Sequence, residues 1–142
     1  MGKEDNKAEN IRSMNCTTDR GGTSGDLPER LFQFALRIIK VVRALPKETA
    51  ALEIGRQLMR SGTSIAANYE EAKGAFSKQD FTYKLSICFK EARETNLWLR
   101  LLLASGMVKG TQLKALVKES EEIRNILGKS VTTAKRNEKQ QL

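Results

Sequence analysis

Hydrophobic residues repeat at steps of three and four positions along most of the chain, from about residue 27 to about residue 136. This spacing is typical of helices that each bury one face. No segment alternates between apolar and polar residues with a period of two, so the pattern predicts no strands. Short connections separate four such stretches, and the chain is therefore expected to be an all-α protein with four helices.

The first predicted helix begins near Asp26, which can cap it together with Glu29, and ends at Pro46. At about 100° per residue, its apolar arc spans about 220°, roughly twice the width that one core face needs. We therefore expect this helix to contact a further surface besides the other helices of its own chain. The arc consists of Leu31, Phe34, Ala35, Ile38, Val42 and Leu45, widened by Phe32, Leu36 and Ile39.

The second predicted helix, from about residue 47 to about residue 73, contains many small and polar residues in the segment RSGTSIAANYEEA. Small side chains allow a neighbouring helix to approach closely, and polar ones can hydrogen-bond across that approach. A buried polar group left unpaired costs about 1–3 kcal/mol, so such groups need partners. We interpret the segment as structural packing in preference to a ligand site. Its key residues are Ser61, Gly62, Ser64, Ala66, Ala67, Asn68 and Glu71.

A capping box of Ser77 and Asp80 starts the third predicted helix, which runs to about Ser105 before Gly106. Glu91 and Glu94 lie on it among apolar residues that include Trp98. Two such carboxylates could act as a general acid and a general base. Pairing with arginines of a neighbouring helix or subunit is the preferred interpretation, because the chain offers no other catalytic partner.

The fourth predicted helix runs from about Thr111 to about Arg136, with one apolar face and a charged outer face expected to be solvated. Residues 137–142 are predicted to be a frayed basic tail. Residues 1–26 are rich in Gly, Ser, Thr, Asn and charge, which predicts a disordered N-terminal tail. The bundle domain is thus expected to cover residues 27–136.

Four amphipathic helices with short connections predict an antiparallel four-helix bundle in up-down-up-down order. Helices 1 and 3 each keep apolar surface after the core of one chain is filled. The core stripe predicted on helix 3 consists of Phe81, Leu85, Cys88, Ala92, Leu99 and Leu103. Its remaining apolar surface is a second line that consists of Tyr83, Ile87, Trp98 and Leu101. Such surface is unusually large for a monomer, and it predicts a homo-oligomer.

Composition excludes several kinds of site. With no His and two Cys, a standard zinc site and a His-activated nucleophile are absent, and no glycine-rich phosphate loop occurs. We therefore expect no enzyme activity, no metal and no cofactor. No run approaches the roughly 18 apolar residues of a membrane span, and no signal peptide is recognisable, which predicts a cytoplasmic protein.

Charge leaves two interpretations open. The net charge is +8, and residues 27–142 contain 21 basic and 12 acidic residues, a balance of +9. A basic domain attracts nucleic acid, but a positive excess can also serve solubility alone. We see no exposed aromatic residues interleaved with the basic ones, which favours contact with the phosphate backbone without strong sequence preference. The leading candidate surface is helix 1, with Arg30, Arg37, Lys40, Arg43 and Lys47.

The segment LMRSGTSIAANYEEAKGAFSKQDFTYKLSICFKEARETNLWLRLL closely resembles the 23S-rRNA-intervening-sequence proteins. The resemblance covers about residues 28–127 and implies a four-helix bundle that assembles as a ring, often a pentamer. It implies no catalytic residues. The positions that match the family pattern are Ser61, Ser64, Ala67, Asn68, Glu71, Asp80, Phe81, Lys90 to Thr95, Trp98 and Leu99.

A more distantly similar protein, the accessory protein of diversity-generating retroelements, forms a basic pentameric barrel and associates with a reverse transcriptase and nucleic acid. Two hypotheses follow from the residues and the resemblance together. The first is a non-enzymatic, oligomeric protein that binds nucleic acid, with RNA preferred over DNA. The alternative is a protein-interaction scaffold, such as an accessory subunit for a reverse transcriptase.

Overall fold

The computed structural model describes residues 26–140 and folds them into four α-helices. They are α1 (Leu27–Ala44), α2 (Thr49–Lys73), α3 (Lys78–Ser105) and α4 (Thr111–Lys139). No strand occurs between residues 26 and 140, which confirms the all-α prediction. Of the predicted disordered tail, only Asp26 belongs to the described residues.

Helix α1 has the predicted bounds, but its first turn is built differently. The Asp26 side chain makes no capping hydrogen bond, and its backbone carbonyl accepts one from the Arg30 N–H at 2.9 Å. Asp26 has helical angles (φ −92°, ψ −3°), whereas a capping side chain requires an extended backbone. The predicted cap was therefore wrong. The helix ends because Leu45, which precedes Pro46, is forced into the extended region (ψ 144°).

Helices α1 and α2 approach each other closely at two glycines. A Cβ at position 62 would lie 2.9 Å from both Cγ1 and Cγ2 of Ile38, which is fully buried. A Cβ at position 55 would lie 2.9 Å from Cδ1 of Leu45. The prediction that small residues of α2 admit a neighbouring helix is confirmed at Gly62, and Ser61 beside it is also fully buried.

The start of α3 contains half of the predicted capping box. Ser77 Oγ accepts a hydrogen bond from the Asp80 N–H at 3.0 Å, as expected. Asp80 Oδ2, however, accepts from the N–H of Phe76 at 3.3 Å, one residue earlier than a reciprocal box requires. The helix ends at Gly106, which adopts the left-handed conformation (φ 71°) that glycine tolerates best.

Helix α4 continues three residues past Arg136 and ends at Lys139. The prediction of fraying from residue 137 was therefore wrong for residues 137–139. The last turn is held by the Gln140 N–H, which donates to the Arg136 carbonyl at 3.2 Å. Residues 141–142 lie outside the described part of the chain.

One hydrophobic core joins the four helices, and each helix packs against the next along the chain. Helices α1 and α4 touch at few positions. Cys88 lies in the core as a free thiol, and burial raises its pKa to about 12. The largest fully buried side chains are those of Phe34, Leu31, Ile38, Leu58, Ile65, Leu85, Leu99, Leu102, Leu113, Leu116, Ile123 and Leu127.

Apolar side chains remain exposed on α1 and α3, the two helices whose wide arcs predicted spare surface. Phe32 is 55% exposed, and Leu36 lies one turn further along α1. On α3, Leu97 and Leu101 are likewise exposed and one turn apart. The surface of one described chain therefore carries apolar stripes that its own core does not cover. Three further residues expected in these stripes, Ile39, Ile87 and Trp98, are half-buried.

We expect Gly62→Ala to destabilise the protein, although alanine favours helix over glycine by about 1 kcal/mol. The added methyl group would meet Ile38, whose side chain is enclosed by the core. Overpacking of this kind costs about 1–3 kcal/mol, so after the gain in helix propensity we expect the free energy of unfolding to fall by up to about 2 kcal/mol. Urea denaturation followed by circular dichroism measures the change.

Gly74→Ala is the matched control. Gly74 lies at the exposed end of α2, where a Cβ would meet only the Glu71 carbonyl oxygen at an ordinary 3.7 Å. We expect this variant to stay within about 0.5 kcal/mol of the parent protein. If both variants are equally stable, α1 and α2 do not approach each other as closely as described.

Candidate nucleic-acid interface

A positively charged groove of about 850 Å³ lies between α3 and α4, and we call it the α3–α4 groove. Four of its lining residues are cations and none is an acid. No ion pair among residues 26–140 involves any of these four cations. The groove is lined by Phe89 and Arg93 of α3 and by Arg124, Asn125, Gly128, Lys129, Thr132, Thr133 and Arg136 of α4.

The floor of the groove depends on a glycine. A Cβ at position 128 would lie 3.0 Å from Cε2 of Phe89, so the missing side chain lets the phenyl ring approach α4 closely. The guanidinium carbon of Arg93 lies 5.9 Å from the centre of the same ring, within the range of a cation–π interaction. The ring of Phe89 therefore helps to position one of the groove's cations.

A buried asparagine ties α3 to α4 beside the groove. Asn96 is 1% exposed, and its Nδ2 donates to Ser120 Oγ at 2.9 Å. Its Oδ1 accepts hydrogen bonds from Nε of Arg100 at 3.0 Å and from Nη1 of Arg124 at 3.1 Å. Both ends of the amide are thus satisfied, as burial requires. Arg124 belongs to this cluster and to the groove at the same time.

The five cations predicted on α1 do not share one environment. Arg30 pairs with two carboxylates of α4: its Nε lies 2.5 Å from Glu119 Oε1, and its Nη2 lies 2.7 Å from Glu122 Oε2. The hydrogen bond that Arg30 donates to Glu119 raises the pKa of Arg30. Arg30 is therefore occupied in joining α1 to α4. The other four form no ion pair within residues 26–140; they are Arg37, Lys40, Arg43 and Lys47.

The polar side chains of α2 bond mostly within their own helix. Ser64 Oγ donates to the Arg60 carbonyl at 2.6 Å, and Asn68 Nδ2 donates to the Ser64 carbonyl at 2.8 Å. The prediction that these two residues bond across to a neighbouring helix was wrong, because carbonyls one turn earlier are within reach of short side chains. Glu71 does reach α3, where its Oε2 accepts from Lys84 Nζ at 2.7 Å.

Glu91 and Glu94 share one arginine from α2. Arg60 Nη1 lies 3.4 Å from Glu91 Oε2, and Arg60 Nη2 pairs with Glu94 Oε1. Trp98 Nε1 donates to the same oxygen of Glu94 at 3.2 Å. The two carboxylates therefore form the inter-helix ion pairs expected of them, through a single arginine.

The expectation that the surface lacks exposed aromatic residues was wrong. Phe76, in the connection between α2 and α3, is 101% exposed, and Tyr83 on α3 is 63% exposed. Periodicity assigned Tyr83 to the second apolar line of α3, which we expected another copy of the chain to cover; within one chain its ring is exposed. Lys78 and Lys84 lie close to these aromatics in the sequence, so exposed rings and cations do alternate there.

Periodicity also missed the α3–α4 groove, because the outer face of α4 was interpreted as an ordinary solvated surface. A signal was present: residues 123–137 contain no acidic residue, and they include Arg124, Lys129, Lys135 and Arg136. The groove residues of α4 also follow one another in steps of four, which puts them on one stripe of the helix. The sequence pattern alone does not reveal that Phe89 and Arg93 lie beside that stripe.

Comparison with known proteins identifies the family. The family model described as 23S rRNA-intervening sequence protein matches residues 26–129. The chain belongs to this family. A solved structure from Bacteroides thetaiotaomicron, described as a protein of unknown function from the S23 ribosomal protein family, is similar at 36% identity and a TM-score of 0.68. The similarity covers 73% of this chain and 96% of the other. Among curated proteins, none matches the chain.

The family match includes most of the α3–α4 groove. Phe89, Arg93, Arg124 and Lys129 lie inside the matched residues, and Arg136 lies beyond them. Between residues 26 and 140, no group of three or more His, Cys, Asp or Glu residues is arranged to hold a metal ion. No helix of that same part of the chain is long and apolar enough to cross a membrane.

Asn96 and Ser120 should stabilise the fold jointly, because their side chains share a buried hydrogen bond. We expect Asn96→Ala to lower the free energy of unfolding by about 1–3 kcal/mol, because it removes the N–H that donates to the buried Ser120 Oγ and the oxygen that accepts from Arg100 and Arg124. A double-mutant cycle with Ser120→Ala, measured by urea denaturation, should give a coupling energy of about 0.5–1.5 kcal/mol. Strictly additive losses would mean that the two side chains do not interact.

Proposed function

We propose that this family member is a non-enzymatic, oligomeric protein that binds RNA through its basic surface. The observation that carries the proposal is the positive charge left without carboxylate partners. Of the 21 lysine and arginine residues between residues 26 and 140, five form ion pairs, which leaves 16 unpaired. The five paired residues are Arg30, Arg56, Arg60, Lys73 and Lys84.

The distribution of this charge favours binding over solubility alone. Like charges held close together repel one another at a cost in stability, so a charge that served only solubility would be better spread. The α3–α4 groove instead gathers four cations next to amide and hydroxyl side chains, which are groups that contact phosphate and sugar in nucleic-acid complexes. Phosphates bound there would release condensed counterions, and that release drives association.

We infer the antiparallel up-down-up-down order for the four helices. Its support comes from side-chain pairs between neighbouring helices. Along α2, Arg60 contacts Glu94 of α3, and the later residue Glu71 contacts the earlier residue Lys84. Advancing along α2 therefore corresponds to moving backwards along α3. The short connections of the described chain are compatible with the same relation for the other neighbouring pairs.

We infer that copies of the chain associate through the apolar stripes of α1 and α3. Covering such exposed patches stabilises an assembly by about 25 cal/mol for each Å² of apolar surface that is buried. If the α1 stripe of one copy contacts the α3 stripe of the next, the interface is head-to-tail, and such an interface forms a ring where the rotation between copies closes. A ring of five is the assembly that the family resemblance implies.

The absence of catalysis is part of the proposal. Glu91 and Glu94 were the only carboxylate pair considered for acid–base chemistry. Arg60 contacts both, and Trp98 also donates to Glu94, so the pair is occupied in contacts that hold α2 against α3. The cytoplasmic location predicted from the sequence stays a prediction.

A protein-interaction scaffold is the second candidate, and Phe76 is the observation that favours it. A fully exposed phenylalanine in a connection between helices gains most from contact with a partner protein. Such a partner could be the reverse transcriptase suggested by the more distant resemblance. Recovery of one stoichiometric protein partner after nuclease treatment would favour the scaffold, and loss of all partners with the nucleic acid would favour RNA binding.

We expect the purified protein to bind single-stranded RNA at about 50 mM salt and to lose affinity steeply toward about 200 mM. If about six phosphates are neutralised, the slope of log K against log salt should be about −4. A mobility-shift titration at several salt concentrations measures the slope. Purification without nuclease should also yield a raised 260/280 absorbance ratio. Absence of binding to both RNA and DNA at about 50 mM salt would rule the proposal out.

We expect light scattering at micromolar concentration to give a mass well above the 15.9 kDa of one chain, and about 80 kDa for a pentamer. Replacing Phe32 and Leu36 together by glutamine should lower the mass, because it removes the exposed stripe of α1. Leu52→Gln is the control, since Leu52 is also exposed but lies on α2, outside both stripes. A monomeric parent protein would contradict the assembly.

A further inference from the structure

We propose that the α3–α4 groove is the surface that holds the RNA backbone, and that it takes a single strand. This inference rests on the proposed function and names the residues that perform it. It moves the contact away from α1, where the sequence alone suggested it. The argument uses the length of the groove, its cations and the way those cations are held.

The groove has the length of a short strand. Its α4 side runs from Arg124 to Arg136, a distance of about 18 Å at 1.5 Å per residue. Lys129 lies between these two, and Arg93 faces them from α3. At about 3.4 Å per nucleotide of a stacked strand, the groove would accommodate about five nucleotides, fewer if the strand is more extended.

The width of the groove favours one strand over two. The axes of packed helices lie about 8–10 Å apart. A depression between two such helices is therefore narrower than a nucleic-acid duplex, whose major groove alone is about 12 Å wide. A single backbone can lie in such a depression and receive hydrogen bonds from both walls. A duplex would touch only the rim, where fewer cations reach its phosphates.

Two of the cations are held in position before any ligand arrives. Arg124 donates Nη1 to Asn96 Oδ1, which leaves the remaining N–H groups of its guanidinium for other acceptors. Arg93 lies over the ring of Phe89, whose approach to α4 requires Gly128. Groups that are ordered in advance lose less side-chain entropy on binding, which raises affinity without additional contacts.

The remaining cations of α1 are less suited to this role. Arg37, Lys40 and Arg43 share α1 with the exposed stripe that we assign to contacts between copies, and Lys47 lies beyond the end of α1, in the connection to α2. Lys40 lies one turn beyond Leu36 and would approach that interface. Arg30 is already paired with Glu119 and Glu122.

The test compares two triple variants that remove the same amount of charge. The groove variant combines Arg93→Ala, Lys129→Ala and Arg136→Ala, and the control combines Lys40→Ala, Arg43→Ala and Lys47→Ala. All six residues are exposed in one chain, so both variants should keep the fold, which circular dichroism checks. Light scattering verifies that the assembly is kept, because Lys40 lies close to the exposed stripe of α1. Arg124 is left unchanged because it also supports Asn96. The probe is a fluorescein-labelled 12-nucleotide oligouridine, with binding followed by fluorescence anisotropy.

We expect the groove variant to bind the oligouridine about tenfold more weakly than the control variant, and its salt slope to fall by about 2. An RNA duplex of 12 base pairs should bind the parent protein more weakly than the oligouridine does. The groove and control variants should differ little in their affinity for this duplex. If the groove variant does not fold, Arg136→Gln alone should still weaken single-strand binding more than Lys47→Gln does.

Failure of this inference can be distinguished from failure of the proposed function. Equal weakening by both triple variants would overturn the groove as the site while leaving RNA binding intact. If the groove variant weakened duplex binding by as much as single-strand binding, the inference that the groove takes a single strand would be wrong. Lack of binding by the parent protein at about 50 mM salt would instead remove the proposed function itself.

Discussion

The hydrogen bonds of Asn96 fix how α3 lies against α4, and the surface chemistry of the molecule depends on that alignment. A buried amide is tolerated only when both of its ends are paired, and Ser120 and Arg124 of α4 supply those partners. A shift of one residue along α4 would move the partners by about 1.5 Å and turn them by about 100° around the helix. The same alignment sets Phe89 against Gly128 and brings Arg93 to the cations of α4.

The positive charge of the chain divides into two groups with different tasks. Arg30 and Arg60 each bind two carboxylates of another helix, and they join α1 to α4 and α2 to α3. Each is partly exposed, so its contribution to stability is modest and weakens with salt. The unpaired group includes the cations of the groove. Net charge alone does not distinguish the two groups, because they contain the same residue types.

Much of the fold could be predicted from the sequence, because helix formation and core burial leave a local periodic pattern. The bounds of α3 and the buried positions Phe34, Leu85 and Leu99 follow from that pattern. The misses occurred where a side chain had several possible partners. Asp26 adopted helical angles and could not cap, and Ser64 bonded to its own helix. The capping preference of a residue type does not decide which of these outcomes has the lower free energy.

The candidate site was less predictable than the fold, for a different physical reason. The groove combines residues of α3 and α4 that are 31 to 47 positions apart in the sequence. Periodicity carries no information about which faces of two helices become adjacent. The cationic stripe of α4 was visible, but Arg93 and the ring of Phe89 were not linked to it. Asn96 was likewise unrecognised, because one polar residue in an apolar helix resembles an exposed position until its partners are known.

The position of the groove at the C-terminal end of α4 affects the protein before it binds a ligand. Arg136 and Lys139 lie in the last turn of the helix, where aligned peptide dipoles leave a partial negative charge. A cation there gains about 0.3–1 kcal/mol, which offsets part of its repulsion by the other groove cations. The cluster can therefore persist without a bound anion. An arriving ligand meets a helix end that is already formed, and its binding energy is not consumed by coupled folding.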